Sequence, residues 1–548
     1  MYKVIVTDPI NETGLKALFN HPDVQVDQRP GLPREELVHA ISGYDALIVR
    51  SQTQVTREII QAADHLKVIA RAGVGVDNID IDAATEKGVI VINAPAGNTI
   101  AATEHTLAMM LALARNIPQA YGSLSSGTWD RKRFKGVELY QKTLGVVGMG
   151  RIGTEVAKRA KAFRMNILAY DPFLTEDRAK KMGVTKSDLD TIAAQADFIT
   201  VHTPLTAETR GLIDAGFMAK TKKGVRFINC ARGGIIDEQA LVDAVNSGQV
   251  AGAAIDVFEH EPPANTGLTQ NPKIIVTPHL GASTAEAQEK VAQSVSEEIV
   301  GIFETGSVQH ALNLPHISAA VQQKIKPYLT LSEQMAELLM QIFKKAPKKI
   351  TINYYGELFL EDTGLLTRQI IKALLSFYLD TSINIVNVMQ VLKAHSLSYN
   401  VQKNAAHKGF TNFIELEIEH DGERATIACT YLPGFGGRIV SINGYRLDME
   451  PEKYSLYITH NDVPGMIGNV GSLLGKDHIN IGSMYVGRQA VGGKAVMILT
   501  VDKPVSGKSE RKSSPFRIWM MFSSRKLTFR KMTDQVLISR SRRTILQN

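Results

Sequence analysis

Over roughly its first 280 residues the chain alternates short β-branched apolar runs with segments whose apolar positions recur three and four residues apart. Residues 4–7, 46–49, 67–70 and 89–92 read as strands, with helical patterns such as 79–87 between them. Runs that are apolar on both faces, separated by helices, predict a parallel sheet covered on two sides. A long helical pattern over 98–115 leads through a loop at 125–136 to a second series of apolar runs at 144–147, 166–170, 198–203, 225–230, 251–257 and 274–277. A helix over 284–305 follows, and its natural place is back against the first sheet. Asn313-Leu314-Pro315 marks a boundary. Beyond it, helical stretches (317–344, 367–377) mix with strand alternation such as residues 414–419, and from Ser455 the order is strand, loop, helix, strand, strand.

The second series opens on the richest stretch of the chain. The apolar run 144–147 breaks into Gly148-Met149-Gly150-Arg151-Ile152-Gly153, a helical pattern follows, and the next strand ends at Asp171, about 18 residues past the last glycine. Glycines there allow a tight turn and close backbone approach, and a helix N-terminus offers free N–H groups to a pyrophosphate. An acid at that spacing accepts both ribose hydroxyls of NAD and repels a 2′-phosphate.

Three polar residues follow three successive strands: Arg232 in Asn229-Cys230-Ala231-Arg232-Gly233-Gly234, Glu261 in Glu259-His260-Glu261-Pro262-Pro263, and His279 in Thr277-Pro278-His279-Leu280-Gly281-Ala282-Ser283. Ligands of open α/β sheets bind at the carboxyl ends of strands. A guanidinium that forks onto a carboxylate, an imidazole that takes a hydroxyl proton and a carboxylate that supports imidazolium are the parts needed to oxidise a 2-hydroxy acid.

These motifs, with Arg71-Ala72-Gly73-Val74-Gly75-Val76-Asp77-Asn78-Ile79-Asp80 and His202-Thr203-Pro204-Leu205-Thr206, resemble those of the D-isomer-specific 2-hydroxyacid dehydrogenases, and the likeness runs from about residue 1 to 505. It implies an α/β fold in which a Rossmann-type NAD domain (99–284) is inserted in a flavodoxin-like substrate domain (1–98 and 285–313). It also implies an α+β intervening domain (314–453) and a ferredoxin-like ACT domain (454–505), as in the family's long members. Arg232 then binds the substrate carboxylate or carbonyl, His279 is the acid/base and Glu261 its partner. Val74, Gly148, Gly150, Arg151, Ile152, Gly153, Asp171, Thr203, Cys230, Ala231, Arg232, Asp256, His279, Leu280, Gly281 and Ala282 stand at NAD-contacting positions. Arg50, Arg71, Asn98 and Arg131 stand at or near positions that hold the substrate's carboxylate and phosphate. The implied reaction is oxidation of 3-phospho-D-glycerate to 3-phosphohydroxypyruvate, the first step of L-serine biosynthesis. His460, Asp462 and Asn480 fall where an L-serine effector would bind, and a homodimer or homotetramer is expected. The rival readings are another D-2-hydroxyacid dehydrogenase, a hydroxypyruvate reductase, and a non-catalytic NADH-sensing corepressor.

Composition changes this picture only at the C-terminus. Residues 507–548 carry eleven Lys/Arg against two acids, so the net charge of +7 belongs to the tail. The other 51 basic and 53 acidic side chains leave residues 1–506 near neutral and give no reason to expect nucleic acid for the main body. An ACT unit is βαββαβ, and the Ser/Arg-rich text of 506–548 reads as a reading-frame change that leaves that unit incomplete. No apolar run approaches the ~18 residues of a membrane span. Two cysteines make neither a disulfide framework nor a cysteine-based metal site, and a cytoplasmic location is expected.

Overall fold

The computed structural model describes residues 1–264, 266–406, 409–505 and 516–522. Two compact units divide the chain: Met1–Ile79 with Val91–His310, and Asp80–Ile90 with the described part of Ala311–Asn548.

The first unit is built on two parallel sheets. In the five-stranded sheet, Tyr2–Val6 lies between Val24–Gln28 and Ala46–Val49, followed outward by Val68–Arg71 and Ile90–Asn93. This 2-1-3-4-5 order is the flavodoxin-like one. In the seven-stranded sheet, Thr143–Val147 is central. Asn166–Tyr170 and Thr185–Lys186 lie on one side, and Phe198–Val201, Val225–Asn229, Val250–Ile255 and Ile274–Val276 on the other. The order reverses beside the first strand, the switch point where dinucleotides bind. Runs such as Ala46–Val49 and Phe198–Val201 are buried at every position, which is why they stand out as unbroken apolar runs. The edge strand Val24–Gln28 is only partly buried and too polar to be read from its pattern.

Helix Ala285–Thr305 returns to the start of the chain. Ser296 Oγ donates to the carbonyl of Gly14 (2.8 Å), and the Tyr2 ring stacks on Phe303 at 4.1 Å.

In the second unit, the expected helix over 317–344 is one helix, Ala319–Phe343, with Pro327 inside it. It and Gly364–Tyr378 contribute to a core shared with a six-stranded sheet centred on Lys349–Gly356, Asn412–His420 and Glu423–Leu432. The four-stranded sheet runs Ile481–Arg488, Lys494–Val501, Tyr454–Asn461, Phe516–Phe522, with helix Met466–Lys476 packed on it. The outer strand Phe516–Phe522 pairs antiparallel with Tyr454–Asn461 from Tyr454↔Phe522 to His460↔Phe516. That strand lies in the segment read from sequence as tail, so the sheet is not limited to the three strands expected before residue 505. The rest of the tail, 506–515 and 523–548, lies outside the described residues. Among the described residues no helix is long and apolar enough to cross a membrane.

Ile352 is fully buried in the alternating strand Lys349–Gly356. Ile352→Ala is expected to cost about 2–5 kcal/mol, from lost transfer energy plus a cavity. Urea unfolding followed by a probe in the second unit measures it as a lower midpoint.

Candidate active site

The glycine loop joins strand Thr143–Val147 to helix Arg151–Ala162. Gly148 has φ +99°, left-handed backbone that disfavours a side chain, and a Cβ there would sit 2.8 Å from the His202 carbonyl. A Cβ on Gly153 would overlap the Gly148 carbonyl oxygen, so only glycine lets the helix pack this close. Gly150 is exposed with nothing within 4 Å of its would-be Cβ, leaving room for a ligand against the backbone. Asp171 ends the neighbouring strand, and its carboxylate accepts from the N–H groups of Met149 and Phe173, both at 2.8 Å. It thereby stands beside the loop, as the spacing predicts. The Thr203 hydroxyl and the Asn98 side-chain oxygen are buried without partners among the described residues. Open backbone at Gly150 and orphaned polar atoms suit a polar ligand such as a dinucleotide. Arg151 reaches the Pro95 carbonyl (3.3 Å), Ile152 is half-buried behind it, and the Val74 carbonyl is taken by Asn93 Nδ2 at 2.6 Å.

The three residues at strand ends are arranged as follows. His279 Nδ1 lies 2.8 Å from Glu261 Oε2, both side chains partly open to solvent. Burial alone raises the Glu261 proton affinity. The hydrogen bond and charge of His279, with the Phe258 N–H at 3.2 Å, outweigh that and hold the carboxyl below its ordinary range. His279 has φ +53°, uncommon for a residue with a side chain. Its N–H donates to the Asp256 carbonyl (2.9 Å), and the Asp256 carboxylate accepts from Leu280 N–H and Gly281 N–H, each at 2.8 Å, and from Thr277 Oγ1 at 2.6 Å. Asp256 is fully buried. Burial raises its proton affinity, but the His105, Thr277 and Leu280 hydrogen bonds win and keep it below the ordinary value.

Arg232 sits in a turn tied by Asn229, whose side chain accepts from Ala231 N–H and donates to the Arg232 carbonyl. Its Nε is 3.4 Å from Asp77 Oδ2. Arg71 lies near enough that burial first, and then the Arg232 and Arg50 charges, lower its proton affinity to about 10, against the counter-pull of Asp77 and Asp8. Arg71 Nε is buried without a partner among the described residues. The Arg50 turn is held by Asp8, whose carboxylate accepts from the N–H groups of Arg50 (2.6 Å), Gln52 (3.1 Å) and Thr53 (3.0 Å). Arg50, Arg71 and Arg232 thus share one positive region. Arg131 is exposed in the 130–135 segment, with no contact that ties it to that cluster among the described residues.

Sequence reasoning gave no role to Asp8, Asn78, Asn229 or His105. His105 Nε2 lies 3.2 Å from Asp256 Oδ1 and 3.3 Å from Thr277 Oγ1. His105, Cys230 and Asp256 bring three ligand-type atoms within 4.8 Å, but both Asp256 oxygens already accept from protein donors and burial pushes the Cys230 thiol strongly up. The group is built as a hydrogen-bond network. In the other unit, Asp462 Oδ2 accepts from Arg488 Nη1 (2.9 Å) and Gly492 N–H (3.1 Å), and the Gly492 bond and Arg488 hold its carboxyl below the usual range. His460 is buried with Nε2 unpartnered among the described residues, while Asn480 is exposed.

A flavodoxin-like sheet beside a Rossmann sheet, with arginine, glutamate and histidine at neighbouring strand ends, defines a D-isomer specific 2-hydroxyacid dehydrogenase. The NAD binding domain model of that class matches residues 107–281, and the D-3-phosphoglycerate dehydrogenase intervening domain model matches 324–443. A solved D-lactate dehydrogenase from Aquifex aeolicus, complexed with NAD and lactic acid, superposes with a TM-score of 0.50 at 28% identity, over 57% of this chain and 99% of that one. A glyoxylate reductase from Paecilomyes thermophila gives 0.52 at 31% identity, over 57% and 98%. Similarity that extends over more than nine-tenths of the chain is higher. D-3-phosphoglycerate dehydrogenase of Bacillus subtilis is 46% identical over 93% of this chain and 96% of that protein, and the Methanocaldococcus jannaschii enzyme is 44% identical over 92% and 96%. The chain belongs to the D-3-phosphoglycerate dehydrogenase family.

Acid should expose the two carboxylates. Both have folded proton affinities below their ordinary values of 3.8 (Asp) and 4.5 (Glu). Their stabilisation is therefore complete above those values and lost as pH falls through the lower folded ones. Asp256→Asn is expected to cost roughly 3 kcal/mol near neutrality, because an amide presents donors to donors. The gap to the unaltered protein should close as pH falls below about 4, read as unfolding midpoints from pH 7 to pH 3.

Proposed function

We propose that this protein oxidises 3-phospho-D-glycerate to 3-phosphohydroxypyruvate with NAD, the first step of L-serine biosynthesis. The observation that carries this reading is the His279–Glu261 pair at 2.8 Å beside the Arg50–Arg71–Arg232 cluster, in a chain that D-3-phosphoglycerate dehydrogenase of Bacillus subtilis matches over 93% of its length. Bound NAD supplies the two-electron acceptor for the hydride that leaves C2. The glycine loop and Asp171 would hold it, Thr203 would offer a hydroxyl that has no partner among the described residues, and the N–H groups at the start of helix Arg151–Ala162 would receive the pyrophosphate.

The carboxylate at His279 Nδ1 selects the tautomer with its proton there, leaving Nε2 as the basic nitrogen. Nε2 takes the C2 hydroxyl proton as the carbonyl forms, and Glu261 stabilises the resulting imidazolium. Arg232 grips the substrate carboxylate beside the reacting carbon. Arg71 and Arg50 meet the remaining negative charge, which removes the repulsion among the guanidiniums. His279→Ala is expected to lower kcat by roughly 10²–10⁴-fold with NAD still bound. Arg232→Ala should raise substrate KM and lower kcat together. Turnover of 3-phosphoglycerate beside glycerate separates this function from a hydroxypyruvate reductase and from a corepressor: preference for glycerate, or no turnover of either, overturns it.

Cofactor choice follows from Asp171. NAD should be preferred to NADP by a wide margin, and Asp171→Ala should narrow the ratio of kcat/KM mainly by weakening NAD. Equal kcat/KM for the two cofactors in the unaltered enzyme would refute the assignment.

A homo-oligomer is part of this reading. Ile117, Tyr121 and Leu124 share one face of helix Ile117–Ser125 and are 53%, 75% and 56% exposed, with Trp129 beyond them at 76%. L-serine is the proposed effector at His460, Asp462 and Asn480, with a weak response because the Asp462 carboxylate is already engaged by Arg488 and Gly492. Serine titration of activity should show little inhibition. Micromolar inhibition that Asp462→Ala abolishes would refute a weak response.

A further inference from the structure

Helix Thr99–Arg115 sends its buried face, including Ala102, Thr106 and Met109, against the nucleotide-binding core, and His105 is the ring-bearing polar residue among them. Its side chain is 19% exposed, and its Nε2 points at two oxygens of one network: Asp256 Oδ1 at 3.2 Å and Thr277 Oγ1 at 3.3 Å. The side of that network that His105 meets bears on the loop that presents His279. The Asp256 carbonyl accepts from His279 N–H, and the Asp256 carboxylate accepts from Leu280 and Gly281 N–H, so three successive amides of the loop that presents His279 end on one residue. The loop needs such a hold, because His279 sits at φ +53°, a conformation that persists only where surrounding structure over-determines it.

Asp256 in turn needs its own hold. Of the side chains bonded to its carboxylate, Thr277 belongs to the strand end that leads directly into the loop and would move with it. His105 comes from a separate helix some 150 residues earlier in the chain. It is therefore the outside reference point for the carboxylate. We propose that His105 is a positioning residue for the dehydrogenase reaction: through Nε2 it fixes Asp256, and Asp256 fixes the 279–281 amides so that His279 meets both Glu261 and the substrate hydroxyl.

This inference rests on the function proposed above, and the test separates the two. The unaltered full-length enzyme is first offered 3-phosphoglycerate, glycerate and D-lactate, which decides the substrate; the variants are then compared on whichever it oxidises fastest. A wrong substrate shows in the unaltered enzyme alone, and a wrong role for His105 shows only in the variants. His105→Leu keeps the volume and removes the donor. It is expected to lower kcat by about 10–100-fold, the penalty of a small misplacement of a reacting group, with the KM for NAD changed less than threefold. His105→Gln, whose Nε2 stands where the imidazole Nε2 stood, should recover kcat to within about threefold. His105→Asn, one bond shorter, should not recover it, and the Asn–Gln pair decides the matter if the leucine variant fails to fold. The kcat of all three is read against thermal midpoints. Loss of kcat in Leu and Asn with rescue by Gln at similar midpoints supports the proposal. Unchanged kcat in either Leu or Asn, or losses that follow the midpoints with no rescue by Gln, overturns it.

Discussion

A carboxylate cut off from water persists as an anion only where protein donors replace its hydration, and Asp256 collects those donors from the loop that carries His279. The arrangement serves both parties. The anion gains the hydrogen bonds that hold its proton affinity down, and the loop gains a rigid attachment for a histidine in left-handed backbone. Because the strand ends at 229, 255 and 276 lie side by side in the sheet, one residue at the middle position reaches the turns on either side, with its carboxylate on one and its backbone N–H on the other. Asp256 N–H donates to the Asn229 carbonyl, and Asn229 in turn ties the Arg232 turn. Arg232 and His279 are thus both tied to one buried network, while Glu261 is held by His279 and the Phe258 N–H.

The arginine region follows a parallel plan with opposite electrostatics. Asp8, also buried, gathers the amides of the Arg50 turn, and Asn78 Nδ2 secures the carbonyls of Arg50 and Thr53 at 2.8 and 2.7 Å. Here the buried acid holds a loop whose purpose is positive charge. Arg232 is placed where its charge disfavours that of Arg71, with Asp77 as partial relief. Repulsion between guanidiniums is the kind of interaction that an anionic group such as a carboxylate or phosphate relieves.

What the sequence made legible were features with local signatures. Both parallel sheets were readable because strands buried on two faces are unbroken apolar runs, and the nucleotide loop because its glycines answer to backbone constraints. The Arg232, Glu261 and His279 positions followed from polar residues at successive strand ends. The supporting residues were not legible in the same way. Asp8 and Asn78 look like ordinary turn formers, and their roles depend on a loop some 40 and 25 residues away. His105 did carry a signal, a polar residue amid the buried positions of an amphipathic helix, but its meaning needs Asp256, 151 residues on. The strands of the six-stranded sheet alternate buried and partly exposed positions, a weaker pattern than a continuous run, and only the 414–419 segment was singled out. The outer strand Phe516–Phe522 was missed because the charge around it outweighed its own apolar text.

The return of helix Ala285–Thr305 to the first residues has a consequence in time. The 12–19 segment, with Leu15 and Leu18 fully buried, is completed by a helix that leaves the ribosome only after the whole nucleotide-binding domain has been made. At about 5–20 residues per second, the nearly 190 residues between the two halves take on the order of 10–40 s. The inserted domain has all of its strands in one continuous stretch and can close its sheet on emerging. The first hundred residues, although synthesised earlier, must wait for Ser296 and Phe303 to finish their core, so the N-terminal lobe is the first part of the chain to be made and among the last of its unit to be stable.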